Sequence, residues 1–281
     1  MSGVLYIVAT PIGNLDDITL RAIKTLKEVD RIAAEDTRHT SQLLAHLGIK
    51  KPMISVHEHN ERARISKITE LLEQGENIAL VSDAGTPLIS DPGFPLSRAV
   101  IEQGFKVVPI PGVSSVITAL SAAGLPTDQF SFVGFLPHKN AERVKKIQSL
   151  NLAQGTQILF ESTHRIELLL EQINQQAPQL QVVLAKELTK RYERFIRGSA
   201  VECLDVLQSD PTLKKGEFVV LVYQTLEQGS SQQSIDVDLL LSRLLHEMPL
   251  KKAVKISVEV SGLKKNDLYQ RALDLSASIQ K

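Results

Sequence analysis

From Val4 to Ile110 the chain alternates short apolar runs with longer stretches whose apolar residues recur every three or four positions. The short runs VLYIVAT (4–10), RIAAE (31–35), PMISV (52–56), NIALVS (77–82) and KVVPI (106–110) predict strands. Between them, ITLRAIKTLKEV (18–29) and ERARISKITELLEQ (61–74) predict amphipathic helices. Strand–helix alternation predicts an α/β domain with a largely parallel sheet over residues 1–125. Such sheets take their ligands at the carboxyl ends of the strands, and the polar, Gly- and Pro-rich segments fall at those ends.

Leu125-Pro126 reads as a boundary. Residues 126–224 predict a second α/β domain with strands FSFVGF, TQILFES, QVVLAKEL and EFVVLVY. TLEQGSSQQS (225–234) has the composition of a flexible linker. Residues 235–281 carry helical patterns only and predict a small all-α domain. No apolar stretch approaches the roughly 18–20 residues of a membrane span. Nor does MSGVLYIVAT have a signal peptide's basic start, so a cytoplasmic protein is expected. Cys203 is the single cysteine, which excludes an internal disulfide and a cysteine zinc site. With 32 basic and 32 acidic residues the net charge is zero, which argues against a generic polyanion binder. Aromatics are 4% with no tryptophan, so an extended base-stacking surface is not expected.

The chemistry sits at the strand ends. TPIGNLDDIT (10–19) follows the first strand, with Asp17 or Thr19 placed to cap the next helix. AEDTRHT puts Glu35, Asp36, Arg38 and His39 within five positions, as an ion cluster or as groups that orient a polar substrate. His57 and His59 would share a direction in an extended segment, but no third ligand follows at metal-site spacing. LVSDAGTPLISDPG (80–93) has neither the P-loop nor the G-x-G-x-x-G pattern and no basic residue. Asp83 and Asp91 there suit a ligand with cationic or hydroxyl-rich parts, such as S-adenosylmethionine, although magnesium-binding aspartates would look the same. PIPGVSS places Ser114 and Ser115 at a helix start. LFESTHR is expected to expose Glu161, Ser162, His164 and Arg165 at a turn, and LAKELTKRYERFIRG carries Lys186, Glu187 and Lys190.

TPIGNLDDIT, EDTR, VSDAGTP, PGVSS with TALSAAG, ESTHR, KELTK and KGEFVVL together resemble, in order and spacing, the tetrapyrrole (corrin/porphyrin) methylase superfamily and its rRNA-modifying branch. The likeness spans residues 4–275. It implies a two-domain α/β methylase with a cofactor cleft between the domains, a homodimer, and no metal. The implied activity is 2′-O-methylation of a cytidine ribose in the decoding region of 16S rRNA, within the 30S subunit, with S-adenosylmethionine as donor. By the same likeness the cofactor contacts are Pro11, Ser82, Asp83, Gly85, Thr86, Ser114, Ser115, Phe160, Glu161 and Gly198. Ser82-Asp83-Ala84 stands where tetrapyrrole methylases carry GDP, and ESTHR replaces the commoner EAPHR. Candidates for the group that orients or deprotonates the ribose hydroxyl are Glu35, Asp36, Lys186 and Glu187, with Arg38, His164 and Arg165 as RNA contacts.

LKKAVKISVEVSGLKKNDLYQRAL (250–273) resembles a helix–turn–helix with Gly262 at its turn and Leu268 and Ala272 facing inward. Arg243 to Arg271 holds seven basic and three acidic residues, and Lys264 and Lys265 open the second helix, suited to phosphates. Two rival expectations are a methylase acting on a tetrapyrrole or other small molecule, and a non-catalytic RNA-binding factor that keeps the fold.

Overall fold

The computed structural model describes residues 2–224, 237–261 and 263–279; the linker at 225–234 and Gly262 lie outside the described residues. Residues 1–225 form one compact unit and 226–281 another.

The first sheet comprises β1 (Val4–Val8), β2 (Arg31–Ala34), β3 (Met53–Ser55), β4 (Ile78–Val81) and β5 (Lys106–Ile110) in the order β3-β2-β4-β1-β5. Every pairing is parallel, as the strand–helix alternation predicts. Alternate strand residues serve opposite faces. Ile32, Ala34, Ala79 and Val81 pack under α1 (Leu20–Glu28) and α2 (Thr37–His46). Ala33, Ile78 and Leu80 pack under α3 (Glu61–Glu73) and α4 (Phe94–Glu102). Because both faces are covered, the strands read as unbroken apolar runs.

The second sheet joins β6 (Phe130–Phe135), β7 (Thr156–Ser162), β8 (Leu180–Lys186), β9 (Arg194–Ser199) and β10 (Glu217–Gln224) in the order β6-β7-β10-β8-β9. Only β6 and β7 run parallel; the other three pairs are antiparallel. One face is covered by α6 (Asn140–Leu150), α7 (Ile166–Gln176) and α8 (Ala200–Ser209). Cys203 lies in that layer with no exposure, and burial pushes its thiol up to about 12, so it is packing rather than a nucleophile.

The other face is covered by α5 (Ser115–Ala123), which follows the last strand of the first sheet. Val116, Ala119, Leu120 and Ala123 pack on Ile158, Val183, Val219 and Leu221 of the second sheet. The helix placed by sequence with the N-terminal sheet is thus the core layer of the next one. Arg197 of β9 holds its C-terminal end, donating to the carbonyls of Ala122 (2.6 Å) and Ala123 (2.9 Å).

In the second unit α9 (Val237–Glu247), α10 (Leu250–Ser261) and α11 (Lys265–Ile279) enclose Leu241, Val254, Leu268 and Ala272. No helix among the described residues is long and apolar enough to cross a membrane.

Candidate functional site

Two loops at the carboxyl end of the first sheet are stitched together. Thr10 after β1 and Gly85 after β4 exchange backbone bonds of 2.9 and 3.0 Å, which requires Gly85 at φ 78°. Thr86 Oγ1 donates to the Val113 carbonyl at 3.0 Å, tying in the loop after β5. Leu88 and Ser90 also hold left-handed backbone, at φ 74° and 67°, a strain that clusters at binding loops. The loop after β1 crosses to the second sheet as well: Asn14 N donates to Thr189 Oγ1 at 3.1 Å. Thr19, as expected, caps α1 by accepting from Ala22 N.

Three carboxyl groups meet at the ends of β2 and β4. Asp83 Oδ1 accepts from Asp36 N at 3.1 Å, and Glu35 Oε2 accepts from Asp83 N at 3.3 Å. Burial pushes Glu35 up, and the Asp83 and Asp36 charges add to it against the Asp83 N–H. Asp91 is raised to about 6, chiefly by burial, with Glu35 and Asp83 contributing against a Ser82 hydrogen bond. Asp36 goes the other way. The Arg38 guanidinium grips both its oxygens, at 3.1 and 2.7 Å, and its carboxyl lies well below the usual range.

Between the two sheets lies a cavity of about 350 Å³. Ile12, Phe135, Phe160, Ala185 and Leu188 give it apolar walls, Ser115 and Thr163 add hydroxyls, and among the described residues no lysine, arginine or histidine lines it. A smaller recess of about 160 Å³ is lined by Pro11, His39, Ser82 and Asp83. A groove of about 570 Å³ runs along Thr19, Gly112, Ser114 and Thr189. An acidic recess of about 580 Å³ holds Glu35, Glu58, Glu61, Ser90 and Asp91 with Arg62. It adjoins the cavity wall at β6, where a Cβ on Gly134 would stand 3.5 Å from Ser90 Oγ.

The cofactor contacts expected from sequence therefore divide. Ser115, Phe160 and Glu161 line the main cavity, Pro11, Ser82 and Asp83 the small recess, and Ser114 the groove, while Gly85 and Thr86 stitch the loops. Gly198 belongs with none of them. It pairs with Val182, four residues back along β8 from Lys186, roughly 13 Å from the cavity end of the strand. A Cβ there would meet Glu202 Oε2 at 2.7 Å, so the glycine serves the close packing of β9 on α8.

Three further expectations need correction. Lys186 is buried, but alternation along β8 sends it with Val182 and Leu184 toward the α6–α8 layer, while Ala185 faces the cavity. Glu187, at φ 51°, accepts from Lys190 Nζ (3.1 Å) and from Glu217 N (3.0 Å). Burial raises its carboxyl, but those two donors outweigh burial and hold it below the usual range, bracing the loop after β8 against the start of β10. Glu161 and Arg165 are not exposed at their turn. Their side chains are 1% and 17% exposed, joined by two bonds of 2.8 and 2.9 Å, and Arg165 also donates to the Leu136 carbonyl. Arg38, His39 and His164 are exposed. His57 and His59 sit at a turn instead of extending, and no cluster of three metal-ligating side chains occurs among the described residues. In the helical unit Lys264 and Lys265 are exposed at the start of α11. Ile12, Phe135, Leu188 and the Gly216–Val219 wall escaped the sequence reading; apolar residues carry no local signal that separates a cavity wall from a core.

Residues 4–203 match the model for tetrapyrrole (corrin/porphyrin) methylases, and residues 231–276 match the RsmI C-terminal HTH domain. Ribosomal RNA small subunit methyltransferase I of Pasteurella multocida (strain Pm70) is 46% identical over 275 residues, covering 98% of both chains. The protein of that name from Haemophilus influenzae is 47% identical over 97% of each. Among solved structures, uroporphyrin-III C-methyltransferase from Thermus thermophilus, complexed with S-adenosylhomocysteine, superposes with a TM-score of 0.55 at 16% identity. It covers 78% of this chain and 97% of that one, a likeness of fold. With the two-sheet unit matching one model, the helical unit the other, and nearly half the residues shared end to end with these relatives, the chain belongs to the tetrapyrrole methylase family, in its ribosomal RNA small subunit methyltransferase I branch.

Proposed function

We propose that this chain methylates small-subunit rRNA with S-adenosylmethionine as donor, at the 2′-oxygen of a cytidine ribose in the decoding region. The observation that carries the donor is the cavity: apolar walls, no cationic side chain among the described residues that line it, and carboxylates in the adjoining recesses. Those walls fit an adenine ring, and the carboxylates fit an ammonium and ribose hydroxyls. The S-adenosylhomocysteine complex of the structural neighbour supports the same donor. Bound there, S-adenosylmethionine supplies a methyl group already activated by its sulfonium. The relatives' names support rRNA as acceptor, and the basic residues of the helical unit suit a polyanion better than a small tetrapyrrole.

Phe160, Leu188 and Ile12 exclude water from the reaction, and Ser115 and Thr163 offer hydroxyls to orient polar groups. Of the groups offered as proton acceptor, Glu35 suits the task, since its raised carboxyl accepts a proton more readily than Asp36, which Arg38 holds ionised. Asp36 positions Arg38 for RNA. The working assembly is a homodimer acting on the 30S particle. On α4, Phe94 and Ile101 lie seven residues apart on one face and are 61% and 58% exposed, apolar area that a second copy would cover.

The deciding experiment offers labelled S-adenosylmethionine and 30S subunits that lack native modifications, then maps the label by nuclease digestion. Label at one decoding-region cytidine, with the adjacent linkage resistant to alkali, is the expected result. Donor binding with no label on any ribosomal particle would redirect the search to a small-molecule acceptor.

A further inference from the structure

Strand β6 breaks the alternation of a sheet. Against β7, Phe132 stands opposite Ile158, Gly134 opposite Leu159 and Phe135 opposite Phe160, so Val133 is an inserted residue and Gly134 takes φ 72°. Residues three apart on a regular strand face opposite sides. The bulge instead turns Phe132 and Phe135 to the same face, where they flank Phe160 edge-on with ring centroids 4.9 and 5.6 Å away. Phe132 is partly buried against the α5 core. Phe135 lines the cavity yet is 57% exposed. Bulges beside binding sites re-aim side chains, and this one delivers an aromatic ring to the rim at the cost of its burial.

The chain beyond that ring is held in place and carries basic side chains. Arg165, anchored on Glu161, donates to the Leu136 carbonyl and meets His138 Nδ1 at 3.0 Å. Lys139, with a side chain 82% exposed, follows, and His164 is exposed on the turn that carries Arg165. An open aromatic face beside exposed basic side chains is how proteins hold an unstacked base and its phosphate.

We propose that Phe135 is the stacking platform for the base of the nucleotide being methylated, with Lys139 and His164 beside its phosphates. Arg165 is a positioning residue, fixing the chain after Phe135 through Leu136 and His138. The assignment rests on the rRNA reading above and adds to it the side of the cavity from which the nucleotide enters. An exposed rim with neighbouring basic side chains suits the polyanion, while the inner walls of Ile12, Phe160 and Leu188 would enclose most of the donor's adenine.

The test compares Phe135→Ala, Phe135→Leu and Phe135→Tyr in steady-state methylation of undermodified 30S subunits, with donor binding by isothermal titration and melting temperature alongside. Removing the ring in the Ala and Leu variants is expected to lower kcat/KM for 30S by about 5- to 150-fold, with Tyr within about threefold of wild type. Melting temperature stays unchanged, and donor affinity falls by far less than kcat/KM for 30S, because Ile12, Phe160, Ala185 and Leu188 still complete the cavity wall behind this rim residue. Wild-type kcat/KM in both Ala and Leu variants overturns the proposal. So does a parallel loss of donor affinity, which would assign the ring to adenine. Leu keeps apolar volume without a π-face, so it separates stacking from packing if the Ala variant unfolds. Absence of methylation by wild type sinks the rRNA reading itself, and this inference with it.

Discussion

Glu35 and Asp91 share a corner with Asp83, and burial raises both of their carboxyls. The Ser82 hydrogen bond opposes burial on Asp91, and the Asp83 N–H opposes it on Glu35. A carboxyl whose folded value exceeds its unfolded one holds its proton more tightly when folded. Asp91 therefore contributes stability below its unfolded value of 3.8 that is lost as pH rises through about 6. Asp91→Asn removes the ionised group. The variant should melt about 2–4 °C above wild type at pH 7.5 for each kcal/mol recovered, with the gap closing toward pH 4 by calorimetry. Asp36 has the opposite sign, its stabilisation being present above its unfolded value and lost only in strong acid. If Glu35 takes the ribose proton, Glu35→Gln should lower kcat by about 10²- to 10⁴-fold with donor affinity intact. Asp36→Asn should chiefly raise KM for 30S by freeing Arg38. Equal kcat in Glu35→Gln and wild type would remove Glu35 from that role.

At the scale of elements, the stitches between loops carry more than the loops' own composition suggests. Gly85→Ala forces a left-handed alanine into the bridge with Thr10 and brings its methyl to 3.3 Å from Ile12. Urea denaturation should show a loss of about 1–2 kcal/mol, and donor binding should weaken with it because Ile12 is a cavity wall. An unchanged midpoint would mean that the bridge is dispensable. The first sheet was legible strand by strand, with ends that overran by a residue or two, since parallel strands covered on both faces read as unbroken apolar runs. Strand β9 was not. RFIRGS is an edge strand whose Arg194 and Arg197 are exposed, so its polarity resembles a loop. The acidic corner was visible as EDTR and SDAGTP because ionisable residues announce themselves locally. Lys186 and Phe135 misled or hid for a common reason: which side of a strand faces the ligand depends on register and bulges, and those are set by a partner strand far away in sequence.

For the whole molecule, division into two compact units allows them to be tested apart. A chain ending at Thr225 keeps both sheets and the cavity. It should bind donor within about twofold of the full protein but methylate 30S subunits poorly. The salt dependence of 30S binding should also flatten as phosphate contacts are lost. Full methylation by the truncated chain would free the helical unit from any role in substrate capture.

The crossing of α5 from one sheet to the other also bears on how the chain is made. When residues 1–125 have left the ribosome, the apolar face of α5 (Val116, Ala119, Leu120 and Ala123) has no surface to rest on. Val219 and Leu221 of β10, which complete that surface, emerge about 100 residues later, roughly 5–20 s at ordinary elongation rates. Through that interval the nascent chain displays a finished sheet with a sticky helix trailing from it, so its yield depends on chaperone supply and elongation speed more than its final stability would suggest.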